Sequence, residues 1–110
     1  MSTYKMTYDL ALKLKNAGFP QKGDKDYPVF WYMPSGAIFL DSIEQADKDY
    51  VYVPTLSELI EACGEEFGML FRLPADEGKY FYCRCLDGSF PESGSTPEEA
   101  VANLWLALQK

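Results

Sequence analysis

Residues 55–73, TLSELIEACGEEFGMLFRL, are predicted to form a capped helix and the strand that follows it. Thr55 and Glu58 form a capping box, in which the threonine oxygen and the glutamate carboxylate each accept a hydrogen bond from a backbone N–H. Apolar residues then recur at helical spacing, which predicts one buried face: Leu56, Leu59, Ile60 and Cys63. Gly64 ends this helix.

A β-hairpin is predicted after that helix. Residues 67–73 read as a strand that turns Phe67, Met69, Phe71 and Leu73 to one face. Residues 74–78, PADEG, form the loop, and residues 79–86 return as the second strand. In this second strand alternation places Phe81, Cys83 and Cys85 on one face, with Tyr80, Tyr82 and Arg84 on the other.

The C-terminal segment repeats the capping chemistry. Residues 87–95 contain glycine, serine and proline and are predicted to be a loop. Thr96-Pro97-Glu98-Glu99 reads as a second capping box with proline at the first helical position. The final helix has one apolar stripe: Val101, Leu104, Trp105 and Leu108.

The N-terminal half contains one helix and three strands by the same criteria. Thr7 caps a helix at residues 8–17, which Gly18 ends. Residues 29–33 and 37–41 form a hairpin around the turn Pro34-Ser35-Gly36. Residues 50–53 form a third strand, stopped by Pro54. The expected fold is therefore one α+β domain over residues 1–110, ordered α-β-β-β-α-β-β-α, with a mainly antiparallel sheet and helices packed on one face.

Charge and composition limit the range of functions. The 110 residues carry 17 acidic and 10 basic side chains, for a net charge of −7. A chain this acidic is repelled by nucleic-acid backbones and anionic lipid surfaces, so we expect neither as a direct partner. Three cysteines, an odd count, suit a reducing compartment. No apolar run has membrane-spanning length and no signal peptide is evident, so we expect a cytoplasmic protein, bacterial or in a phage-infected cell.

The residue inventory argues against the common catalytic and metal centres. The chain has no histidine, which excludes Ser-His-Asp and Cys-His catalysis and histidine-ligated metals. Three cysteines are one short of a closed thiolate site, and free cysteine packs as a small hydrophobe. We therefore expect no catalytic residue, metal or cofactor. Whether Cys63, Cys83 and Cys85 cluster is left open by the sequence.

Aromatic residues provide the candidate binding surface. If helices cover one sheet face, the other presents tyrosines together with arginines, residue types favoured at protein interfaces. In the last helix, Leu106 falls opposite the apolar stripe and beside Trp105, which suggests a second contact. The candidate partner-binding residues are Tyr80, Tyr82, Arg84, Arg72, Trp105 and Leu106.

Two family resemblances bear on function. Residues 8–20, 53–64 and 96–108 together resemble small uncharacterised proteins of phages and prophages, most distinctively through the final helix TPEEAVANLWLAL. This implies a phage or prophage source and no particular activity. Residues 67–110 are similar to HicB-type antitoxins, in which Thr96, Glu98, Glu99 and Ala100 match the helix opening. That resemblance implies a partial ribonuclease-H-like fold that binds a small toxin.

The sequence thus favours a non-enzymatic phage-type accessory protein that binds another protein, or a second copy of itself. One alternative is an acidic inhibitor or antitoxin-like protein that mimics nucleic acid through Asp41, Glu44, Asp47 and Asp49. Another is an enzyme that uses carboxylates alone, which requires two acids to converge in an apolar pocket.

Overall fold

The computed structural model describes residues 6–43, 49–72 and 81–109. It confirms the α+β class, and the predicted elements occur in the predicted order with one further strand before the last helix. Chain contacts divide it into two compact units: residues 7–54, and the described part of residues 55–110 together with Met6. The strands form two three-stranded antiparallel sheets, one in each unit. The expectation of one domain stays a prediction.

The first unit contains helix α1 (Tyr8–Asn16) and strands β1 (Val29–Tyr32), β2 (Ile38–Asp41) and β3 (Val51–Val53), in the sheet order β2-β1-β3. Thr7 caps α1 by accepting the Leu10 N–H. In the predicted turn, the Met33 N–H donates to the Ala37 carbonyl over 2.7 Å. Trp31 and Tyr52 pair across β1 and β3, and both are buried.

The second unit contains helix α2 (Leu56–Cys63), a 3-10 turn at Gly64–Glu66, strands β4 (Phe67–Arg72), β5 (Phe81–Cys85) and β6 (Glu92–Gly94), and helix α3 (Pro97–Leu108). Its sheet order is β4-β5-β6. The complete capping box at Thr55 is confirmed. Helix α3 packs on all three strands and on α2, so it covers one face of the sheet.

Strand β6 corrects the prediction of a loop over residues 87–95. Its three residues pair with β5 although their composition is that of a turn. The helix behind the strand explains the pairing. A Cβ on Gly94 would lie 2.7 Å from the Ala100 nitrogen, so only glycine allows this approach. Asn103 Nδ2 on α3 also donates to the Ser93 carbonyl over 3.0 Å. Tertiary contacts therefore create a strand that local sequence does not encode.

The predicted capping box at Thr96 is half right. Its hydroxyl accepts the Glu99 N–H over 3.1 Å, as expected. The Glu99 carboxylate instead accepts the hydroxyl and backbone N–H of Ser95, at 2.7 and 3.3 Å. Glu99 is buried, and the serine hydroxyl offers it a partner one residue before the cap.

Candidate partner-binding face of the second sheet

The register of β4 on β5 decides which side chains share a face. Met69 lies opposite Arg84, and Phe71 lies opposite Tyr82. Directly paired residues project to the same side of a sheet. These four residues therefore form one face, which we call the open face: Met69, Phe71, Tyr82 and Arg84.

A β-bulge at Gly68 makes part of the sequence prediction wrong. Phe67 was expected to share a face with Met69, but the register shifts between them and Phe67 pairs with Cys85 instead. The extra residue reverses the alternation, as a bulge does. Glycine is required at this position, because a Cβ on Gly68 would lie 2.5 Å from the Cys85 carbonyl carbon and oxygen.

The opposite face of this sheet is closed by α3. Cys83 is fully buried, and its thiol donates to the Ala100 carbonyl over 3.0 Å. Cys85 is also buried. On this side the alternating strand packs as a conventional core, with helix covering sheet.

The open face is mainly apolar, and its two β4 residues are solvent-exposed. Met69 and Phe71 are 43% and 40% exposed, while Tyr82 and Arg84 are half-buried. The rings of Phe71 and Tyr82 lie 4.9 Å apart between centroids, at an interplanar angle of 46°. An Arg84 Nη atom donates to the Met69 sulfur over 3.7 Å. An aromatic pair beside an arginine on one rigid sheet is the composition that protein interfaces favour.

The predicted site residues fall in different places. Tyr82 and Arg84 lie on the open face, whereas Tyr80 lies outside the described residues. Arg72 is exposed but pairs with Phe81, so its alternation places it on the other side of the sheet from Tyr82. Grouping Arg72 with the tyrosines was therefore wrong.

The two candidates in the last helix are less accessible than expected. Trp105 is only 7% exposed, so it presents little surface to a partner. Leu106, expected to be exposed, is half-buried. Sequence reasoning missed Met69 and Phe71 as members of the surface. Gly68 inside an apolar strand was the available signal, since such a glycine often marks a bulge.

The three cysteines are all buried, and they lie near enough to one another for their charges to interact. The pKa of Cys83 is raised to about 12, mainly by burial and to a smaller extent by the nearby Cys63, Glu92 and Cys85. Burial likewise raises the pKa of Cys63 to about 11, aided by Cys85 and Glu66. Thiols with such high pKa values stay protonated near neutral pH and are poor nucleophiles. Their arrangement suits packing.

Carboxylates can serve as catalytic or metal-binding groups, but among those in the described ranges Asp87 has a structural role. Asp87 accepts the hydroxyl and the N–H of Ser89, and these hydrogen bonds hold the pKa of the Asp87 carboxyl below its usual value. Asp41 and Asp49 are exposed, whereas Glu44 and Asp47 lie outside the described residues. Over residues 6–43, 49–72 and 81–109, no three His, Cys, Asp or Glu side chains are placed to hold a metal ion.

Comparison with known proteins gives no relative. No protein-family model, curated protein or solved structure matches this chain. Among the described helices, none is long and apolar enough to cross a membrane.

Proposed function

We propose that this chain is a non-enzymatic accessory protein that binds another protein through the open face of its second sheet. One observation carries the proposal: Met69, Phe71 and Tyr82 form a contiguous apolar surface on a sheet whose other side already supplies the core. A strand that needs only one buried face normally carries polar residues on the other. Apolar residues on both faces support the proposal, because a surface that is covered in a complex carries such residues.

The phage-type context of this proposal rests on the sequence resemblance of residues 8–20, 53–64 and 96–108. Small accessory proteins act by occupying a surface of a larger protein, and a rigid aromatic face suits that role. The partner gains buried aromatic area at a low entropic cost, because Phe71 and Tyr82 are already held against each other.

The test is capture of a partner from cells that naturally carry the gene, with two variants compared with the wild type. Phe71→Ser with Tyr82→Ser removes the aromatic pair of the open face. Leu40→Ser is the matched control, since Leu40 is an apolar strand residue that is 52% exposed in the other unit. The proposal expects a protein that the wild type and the control retain and the double variant loses.

Salt separates this function from the nucleic-acid-mimic alternative. An apolar interface persists when the capture is repeated at high salt, whereas binding of a basic partner by exposed carboxylates collapses. A captured protein that the double variant retains and that salt removes would contradict the proposal and favour the mimic.

A further inference from the structure

Among the residues that the structure describes, strand β4 is an edge strand beside the open face. Within the described residues it hydrogen-bonds to β5 alone, so half of its backbone groups point away from the sheet. Edge strands are usually protected by proline, lysine or a bulge. Here the bulge lies at the start of the strand, and residues 69–72, MLFR, contain neither proline nor lysine. This segment can pair with another strand.

Arg84 brings positive charge toward that edge. It lies on β5, and its guanidinium reaches across to the sulfur of Met69 on β4. A thioether is a weak acceptor and uses one of five guanidinium donors. Among the described residues, the Met69 sulfur is the hydrogen-bond acceptor observed for the Arg84 guanidinium. The remaining donors suit a carboxylate, which can accept two parallel hydrogen bonds from arginine.

Charge complementarity then selects the occupant. The whole chain carries a net charge of −7, yet Arg84 lies on the open face beside this edge, and Arg72 is exposed at the end of β4 on the other side of the sheet. A second copy would bring the same arginines to the same edge, so self-pairing is opposed by like charges at short range. An acidic segment of a different protein matches the local charge.

We propose that β4 binds an extended acidic segment of a partner protein as an added strand, with Arg84 pairing with one of its carboxylates. This inference rests on the proposed function and specifies its ligand. Backbone hydrogen bonds along β4 would supply affinity, while Arg84 and the Phe71–Tyr82 pair would select alternate side chains of the segment.

The probe is a library of random heptapeptides displayed on yeast, selected against the immobilised full-length chain. We expect enriched peptides to carry Asp or Glu at one position and β-branched or aromatic residues at alternate positions. Arg84→Glu should weaken the selected peptide by about 10- to 100-fold, the scale of a lost charge-assisted hydrogen bond. Arg84→Lys should weaken it less. Lys25→Glu, an equal charge change at an exposed residue of the other unit, should leave affinity unchanged.

Backbone methylation of the selected peptide tests strand addition directly. Methylating the alternate amides that face β4 should abolish binding, whereas methylating the other set should not. Circular dichroism of each protein variant confirms that the fold is retained.

The possible results distinguish a failure of strand addition from a failure of the proposed protein-binding function. One result is a set of peptides that need Phe71 and Tyr82 for binding and yet lack acidic residues, and another is a set that binds when either set of amides is methylated. Either result would overturn the proposed strand addition. It would leave the open face as a protein-binding surface. If no selected peptide depends on Phe71, Tyr82 or Arg84, the inference and the proposed function both fail.

Discussion

The two faces of the β4-β5-β6 sheet carry similar apolar content but have different environments. On one face, Cys83 and Cys85 are buried under α3; on the other, Met69 and Phe71 are exposed beside Tyr82. Folding explains the first set, because buried apolar area stabilises the native state. It does not explain the second set, which gains little from the fold. This contrast is the reason why we propose the open face as the binding surface.

The largest effect on stability should come from the covered side. Leu104→Ala removes a fully buried side chain from α3, and we expect the free energy of unfolding to fall by about 2–5 kcal/mol. Leu106→Ala on the same helix is the control and should cost less than half as much, since Leu106 is half-buried. Urea denaturation measures both. Equal losses would show that α3 is not packed as described.

Alkaline pH should lower the stability of the fold through the buried thiols on the covered side of the sheet. Burial raises the native pKa values of Cys63 and Cys83 to about 11 and about 12, above the 9.0 of an unperturbed cysteine thiol. The contribution of these thiols to the free energy of unfolding is fully present below pH 9. It is lost as pH rises toward the native pKa values, because the thiols of the unfolded chain lose their protons at a lower pH than those of the folded chain. Urea denaturation between pH 8 and 11 should show a smaller loss in Cys83→Ala than in the wild type. An identical loss in both would contradict the burial of this thiol.

The capping box of α2 should contribute an intermediate amount. Thr55→Ala removes the hydroxyl that accepts the Glu58 N–H, at an expected cost of about 1 kcal/mol. Ser57→Ala lies two residues along on an exposed position, and there alanine favours the helix. Thermal denaturation should therefore show a loss for Thr55→Ala and none for Ser57→Ala. A loss confined to the Ser57 variant would be inconsistent with this cap.

The smallest stability change should come from the open face. Phe71→Ser removes one exposed ring and its contact with Tyr82, so we expect about 1 kcal/mol or less. Urea denaturation measures the loss, and partner capture should fall sharply in the same variant. A loss as large as that of Leu104→Ala would mean that Phe71 belongs to the core and would remove the contrast between the faces.

The helices and strands were predicted better from the sequence than the sheet face to which each strand residue points. The helices starting at Thr7, Thr55 and Thr96 follow from local capping chemistry and apolar spacing, and all three are confirmed. Strand β6 depends on contacts with α3 that no local pattern reveals. The orientation of Met69 depends on a single bulged residue, Gly68, and a shift of one residue reverses every later side chain.

Aromatic residues on strands could not be sorted by alternation alone. Trp31, Tyr32 and Tyr52 in the first sheet are buried although they do not share one face, whereas Phe71 in the second sheet is exposed. Their burial depends on which elements cover each sheet, and that is a tertiary property. The membership of the open face was therefore only partly predictable: Tyr82 and Arg84 share one sheet face as expected, whereas Arg72 lies on the other side.

Photo-crosslinking in the native cell tests the central claim most directly. A photoreactive phenylalanine analogue replaces Phe71 or Tyr82 in separate variants, with Leu40 as the control position. We expect both open-face positions to form an adduct with the same protein and position 40 to form none. Adducts from position 40 alone, or from neither open-face position, would contradict this expectation.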